Sequence, residues 1–174
     1  MRGTLFLIVG PSGSGKDTLI AAARERLGAG YVYPRRTITR PADAGGEDHL
    51  AETAAGFEAR ESAGDFALTW RAHGLTYGIP ASIDEELARG QHVVVNVSRT
   101  AVPEARKRFA PARVVLVTAS PDTLRTRLVA RGREDADALV ERLERAPPVD
   151  ADVIIMNDGA LHTAGDAFVD ALKG

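Results

Sequence analysis

Four short runs of the chain are apolar without interruption: Leu5 to Val9, Val93 to Val95, Val114 to Val117 and Val153 to Met156. A strand with one face in water alternates apolar and polar positions, whereas a strand of a parallel sheet covered on both faces loses the alternation. The four runs therefore predict buried, parallel strands. Between them, apolar positions recur at helical spacing over Asp17 to Leu27, Ile83 to Arg89, Thr100 to Phe109, Thr123 to Arg131, Leu139 to Ala146 and Leu161 to Leu172. Strands alternating with helices predict an open α/β sheet flanked by helices. Ligands of such sheets gather at the carboxyl ends of the strands, which here carry Gly10, Asn96, Thr118 and Asn157.

Two stretches break this alternation. Residues 35–80 are richer in turns and polar groups, with one short helix (Phe57 to Ala63) and strand-like segments at Phe66 to Trp70 and Leu75 to Tyr77. They predict an inserted lobe. Further on, Arg131-Gly132-Arg133-Glu134-Asp135 links two helices. A solvated turn is one reading of it, and an arginine-bearing lid that closes over a phosphate is the other. The expected organisation is a single domain: a core of about 1–34, 81–130 and 147–174, an acceptor lobe of about 35–80 and a lid of about 131–146.

The first strand runs into Gly10-Pro11-Ser12-Gly13-Ser14-Gly15-Lys16-Asp17-Thr18, and a helix follows at once. Strand, glycine loop and helix in that order predict a phosphate-binding loop and with it the P-loop NTPase fold. Glycines let successive backbone N–H groups turn inward around a phosphate, and the helix N-terminus adds partial positive charge. Lys16 can then reach the β- and γ-phosphates of a nucleotide such as ATP. The residue after the lysine is usually a Ser or Thr that ligates Mg²⁺; here it is Asp17, with Thr18 displaced by one. A carboxylate beside phosphates calls for a cation between them, which makes Asp17 a candidate Mg²⁺ contact. Its other reading is an acid placed at the positive end of the helix.

Composition narrows the field further. With 174 residues, 44% of them hydrophobic and 26% charged, the chain is one soluble globular domain's worth. A net charge of −2 provides no bulk field for nucleic acid or an anionic membrane, so neither is expected as a partner. Cysteine is absent, which excludes disulfides, cysteine-ligated zinc and thiol catalysis. The four histidines lack metal-ligand spacing. No apolar run approaches the length of a membrane span or a signal peptide, so a cytoplasmic enzyme using soluble ATP is the expected compartment. Only Lys16, Lys107 and Lys173 are lysines among the 22 basic residues, and the excess of arginine carries no functional weight in bulk; its placement does.

Taken together, these motifs resemble the guanylate kinase family of nucleoside monophosphate kinases, over nearly the whole chain. The resemblance is carried by the glycine loop, by Thr39-Arg40-Pro41 and Tyr77-Gly78 at the two ends of the lobe, by Arg131-Gly132-Arg133, and by Asn157-Asp158. It implies that Arg40 and Tyr77 hold the acceptor phosphate, that Arg131 and Arg133 meet the triphosphate, and that the Asn157 loop lies by the adenine. The guanine readers of that family are missing: Thr69 stands where a Glu precedes the lobe's Trp, and Ile79 where a Ser or Thr follows Tyr-Gly. The family's phosphate-binding tyrosine is His49, and its strand-end aspartates are Asn96 and Ser98. An unpaired guanine edge would be costly to bury. Phosphate handling without base reading resembles an offshoot, the ribose 1,5-bisphosphate phosphokinases. For that offshoot the marks are Gly15-Lys16-Asp17, Ile38-Thr39-Arg40, Trp70 with Tyr77-Gly78, Asn96-Val97-Ser98-Arg99, Arg131-Gly132-Arg133 and Asn157-Asp158-Gly159.

The implied acceptor is a small phosphorylated sugar whose 1-phosphate is already largely ionised at neutral pH, its second pKa being about 6. No general base is then required, and the difficulty is bringing two anions together. Lys16, Mg²⁺, Arg131 and Arg133 would neutralise the donor, and Arg36, Arg40 and Arg99 the acceptor, to which the Tyr77 phenol could add a hydrogen bond. Extended spacing would set Arg36 and Arg40 on one face. Arg99 follows a strand end, where a site role and a structural role are both open, and Trp70 and Tyr77 could equally pack the lobe. Two other functions stand beside this one: a nucleoside monophosphate kinase of altered base preference, and a non-catalytic binding module of the same fold.

Overall fold

The computed structural model describes residues 1–45, 47–132, 135–145 and 148–174, with the backbone alone for Arg142 and Arg145. In chain order the elements are β1 (Leu5–Val9), α1 (Lys16–Arg26), β2 (Tyr31–Val32), β3 (Thr37–Ile38), β4 (Leu50–Ala51), α2 (Ala54–Ser62), β5 (Phe66–Ala72), β6 (Leu75–Pro80), α3 (Ile83–Ala88) and β7 (His92–Asn96). A 3-10 turn (Arg99–Ala101) follows, then α4 (Val102–Arg108), β8 (Ala112–Thr118), α5 (Pro121–Ala130), α6 (Ala136–Arg145), β9 (Val153–Met156) and α7 (Leu161–Lys173). Five strands form a parallel sheet in the order β2-β7-β1-β8-β9, and helices flank it. The continuous apolar runs lie in β1, β7, β8 and β9, as their lack of alternation predicts. All five residues of β1 are buried.

The chain divides into two compact units. One comprises Met1–Leu7 and Gly28–Arg113, the other Ile8–Leu27 and Val114–Gly174. In the first unit, β2 pairs in parallel with β7, Tyr31 opposite His92. This unit also holds a second sheet, in the order β4-β3-β6-β5. Its spine is the β5–β6 hairpin, in which Trp70 faces Tyr77 and Thr69 faces Gly78. His73 and Gly74 form the two-residue connection, and both have positive φ (53° and 72°). That is the conformation of a type I′ turn, whose twist matches the flanking strands. β3 pairs antiparallel with β6, Thr37 opposite Gly78, which sets the Arg36 to Arg40 segment along the hairpin.

In the second unit, β8 and β9 pair in parallel, Val115 opposite Val153. Helices α5 and α6 close on a cluster of Leu124, Leu128, Ala136 and Val140, while α7 packs on α1 and β9. One expectation fails at β9. Ile155 is buried, but Ile154 and Met156 are 60% and 55% exposed. β9 is the last strand of the sheet, and α7 lies against it, so this run is covered on one face rather than two. Among the described residues no helix is long and apolar enough to cross a membrane.

Candidate active site

The glycine loop lies in the second unit, between the end of β1 and the start of α1. A Cβ on Gly10 would overlap the Val117 carbonyl oxygen of β8, so only glycine lets the loop leave the sheet this closely. Gly15 caps α1 in the left-handed region (φ 89°), and a Cβ there would stand 2.5 Å from Asn157 Nδ2. Between them, Ser14 N–H donates to Pro11 O at 3.2 Å. Lys16 Nζ turns back over the loop and donates to Gly10 O (2.6 Å) and Pro11 O (3.2 Å). Ser14 is fully buried, and its Oγ meets no hydrogen-bond partner among the described residues. Asp17 and Thr18 occupy the first turn of α1 and are exposed.

Two side chains of the same unit hold the loop from outside. Asn157, 4% exposed at the end of β9, donates Nδ2–H to Ser14 O at 2.8 Å, and its own N–H donates to Thr118 O at 2.8 Å. Arg127 on α5 donates to Gly13 O (3.2 Å) and Asn157 O (2.6 Å). Next to Asn157, the Asp158 carboxylate accepts from Ser120 N–H at 2.7 Å. That bond, with the Thr123 hydroxyl and the nearby Arg127 charge, holds its carboxyl below the usual range. Arg131 ends α5 and is exposed. Its partner in the expected lid, Arg133, lies outside the described residues.

The candidate acceptor residues lie in the first unit. Trp70 and Tyr77 stack with ring centroids 5.3 Å apart and planes 2° from parallel. The Arg36 guanidinium sits over both rings, 5.1 Å from the Tyr77 centroid. It donates to Asn96 O (3.1 Å) at the carboxyl end of β7 and forms an ion pair with Glu47. A guanidinium has five N–H donors, so these two partners leave others over. Arg40 donates to Gly45 O at 2.5 Å. β3 spans only Thr37 and Ile38, so Arg40 lies beyond its end in a bend. Arg99 opens the 3-10 turn, three residues beyond Asn96, after the cap made by Ser98. Arg36, Tyr77, Trp70 and the β7 end are thus brought together.

A family model described as an AAA domain matches residues 5–146. The ribose 1,5-bisphosphate phosphokinase PhnN of Chromobacterium violaceum is 48% identical over 99% of this chain and 95% of its own length. The protein of that name from Acidiphilium cryptum is 51% identical over 98% of this chain and 92% of its own. The chain belongs to the ribose 1,5-bisphosphate phosphokinase family. Its fold is that of guanylate kinase: the enzyme from Anaplasma phagocytophilum superposes with a TM-score of 0.74 at 18% identity, covering 99% of this chain and 85% of the other.

In this member of the ribose 1,5-bisphosphate phosphokinase family, the residues beside Trp70 and Gly78 are engaged or enclosed. Thr69 Oγ1 donates to Glu61 at 2.6 Å, and Ile79 is fully buried. Arg71 and Thr69 together hold the Glu61 carboxyl below its usual range. His49 faces main chain: its Nε2 lies 3.0 Å from Arg40 O and its Nδ1 3.0 Å from Glu47 O. It staples the loop that carries Arg40 and Glu47. Sequence reasoning missed Glu47 and Arg127. Arg127 lies four residues before Arg131 and so on the same helix face, a spacing that could have drawn notice. Among the described residues no group of three or more His, Cys, Asp or Glu converges as a metal site. Asp17 offers a hard carboxylate oxygen of the type Mg²⁺ takes, at the loop where phosphates would lie.

Proposed function

We infer that this protein transfers the γ-phosphoryl group of ATP to the 1-phosphate of α-D-ribose 1,5-bisphosphate, yielding ADP and 5-phospho-α-D-ribose 1-diphosphate. One oxygen of the 1-phosphate bonds to the γ-phosphorus as the bond from that phosphorus to the β-bridging oxygen breaks. The attacking oxygen carries no proton at neutral pH, so no side chain has to remove one. Bound Mg²⁺ would supply charge neutralisation on the β- and γ-oxygens. Lys16 would exchange its bonds to Gly10 O and Pro11 O for phosphate oxygens, and Arg131 and Arg133 would add charge as the lid closes. Arg36 and Arg40 would take the acceptor's phosphates with their remaining N–H donors, Arg36 backed by the Tyr77 ring. Arg99 at the β7 end and the Tyr77 hydroxyl are further candidates for the same anion. Asp17 would touch the metal, directly or through water.

Beyond the near full-length kinship, the reading is carried by one observation in the lobe: Arg36 stands on the Trp70–Tyr77 stack, while Thr69 is engaged by Glu61 and Ile79 is fully buried. This arrangement supports the reading of an anion site without a base site. An ATP-consumption screen over ribose 1,5-bisphosphate, GMP and other nucleoside monophosphates tests it. Turnover should be confined to the ribose bisphosphate and should disappear in Lys16→Ala with the fold retained. Efficient turnover of GMP with none of the sugar bisphosphate would make the protein a nucleoside monophosphate kinase instead. Failure to bind ATP–Mg²⁺ at all would leave a binding module.

A further inference from the structure

The glycine loop is usually described by what its N–H groups offer to phosphates, but here its carbonyls are held as well. In a trans peptide the C=O and the following N–H point in opposite directions. The Ser14 carbonyl is turned outward by Asn157 Nδ2, so the Gly15 N–H is turned to the other side. The Gly13 carbonyl is turned outward by Arg127, and the Ser14 N–H correspondingly turns to Pro11 O. Arg127 also fixes the agent that holds the next peptide, because its second nitrogen donates to Asn157 O at 2.6 Å. One planar fork therefore spans the loop and the residue that braces it. A lysine, with a single charged tip, has no such geometry.

We propose that Arg127 is a positioning residue for nucleotide binding. It clamps Gly13 O and Asn157 O together and so sets the peptide orientation of the phosphate loop, with Asn157 relaying the constraint to Ser14. Direct contact between Arg127 and the nucleotide is not needed for this role. The inference rests on the phosphate-loop part of the proposed function and is independent of the acceptor's identity.

Calorimetric titration with ATP–Mg²⁺, in the absence of acceptor, tests it on the parent, Arg127→Met, Arg127→Lys, Asn157→Asp and the Arg127→Met/Asn157→Asp pair. Arg127→Met keeps the apolar stem and should weaken nucleotide binding by about tenfold, the scale of a lost charge-assisted hydrogen bond. The acceptor KM should stay within about twofold, since Gly13 O and Asn157 O, which Arg127 holds, belong to the phosphate loop and its brace. Arg127→Lys should bind as poorly as Arg127→Met. The double variant should be little worse than the poorer single one, because both side chains secure the same loop. Should Arg127→Met not fold, Arg127→Gln keeps one planar NH₂ and should fall between it and the parent. Parental affinity in Arg127→Lys would assign the effect to charge and overturn the clamp. Parental affinity in Arg127→Met or Arg127→Gln, a parallel rise in the acceptor KM, or a double variant equal to the product of the singles would also overturn it. A parent that binds no nucleotide would instead count against the proposed function itself.

Discussion

Gly15 carries two demands that no other residue meets together. Its φ of 89° lies where a Cβ is strained, and that Cβ would stand 2.5 Å from Asn157 Nδ2. Gly15→Ala should therefore destabilise the fold by about 1–3 kcal/mol, the range for strain at a left-handed site. It should also push Asn157 off Ser14 O and weaken ATP binding, which thermal melts and calorimetry measure together. A variant that melts and binds like the parent would show that the loop tolerates a side chain here. Two residues on, Asp17 is exposed in the first turn of α1. Asp17→Asn keeps the shape and removes the charge, so it should raise the Mg²⁺ concentration for half-maximal rate. Unchanged Mg²⁺ dependence would leave Asp17 as an acid that complements the helix end. The strand, glycine loop and helix from Leu5 to Arg26 were legible in the sequence because what makes them is local: an apolar run, glycine spacing and a helical repeat. Arg127 and Glu47 were not. Arg127 binds main-chain carbonyls, which every residue carries, and Glu47 meets an arginine eleven positions away whose approach depends on the lobe's folding.

At the scale of elements, α5 shows how a helix start can also join loops. Ser120 caps it by accepting from Thr123 N–H at 3.3 Å, Pro121 follows at the first helical position, and the Ser120 N–H is taken by Asp158. Ser120→Ala should cost about 1 kcal/mol as a lost cap, lowering the melting midpoint by about 2–4 °C for a chain of this size. Asp158 adds a pH dependence of definite sign. Its folded pKa is lower than its unfolded one, so the unfolded chain takes up the proton first as pH falls. The stabilisation is complete at neutral pH and fades as pH drops into and below the ordinary carboxylate range. Asp158→Asn should melt below the parent at pH 7, and the gap should close on acidification. A constant gap would mean that the carboxylate's charge plays no part. Uninterrupted apolar runs predicted β1, β7, β8 and β9. By contrast β2, β3 and β4 contain two residues each, too few for any periodicity to register. They exist because pairing supplies what their own sequence does not: β2 pairs with β7, β3 with β6, and β4 with β3.

At the scale of the whole molecule, the prediction of an α/β sheet came from patterning that spans the chain, and it held in all but the covering of β9. The second sheet was visible as a change of texture, whereas its hairpin turn at His73 and Gly74 was not, because a His in the left-handed region has only tertiary context to recommend it. That hairpin contains the chain's single tryptophan. Trp70 is 6% exposed, stacked on Tyr77, with the Arg36 guanidinium carbon 5.9 Å from its ring centroid. An indole so placed is a built-in optical probe, since any anion that pulls Arg36 changes the charge above the emitting ring. Selective excitation of Trp70 should give an emission that changes saturably on titration with ribose 1,5-bisphosphate, even without nucleotide. Arg36→Ala should abolish that response while leaving the starting spectrum measurable. Emission indifferent to the sugar bisphosphate in the parent would detach Arg36 from acceptor binding; a clear response would report lobe occupancy with no label attached.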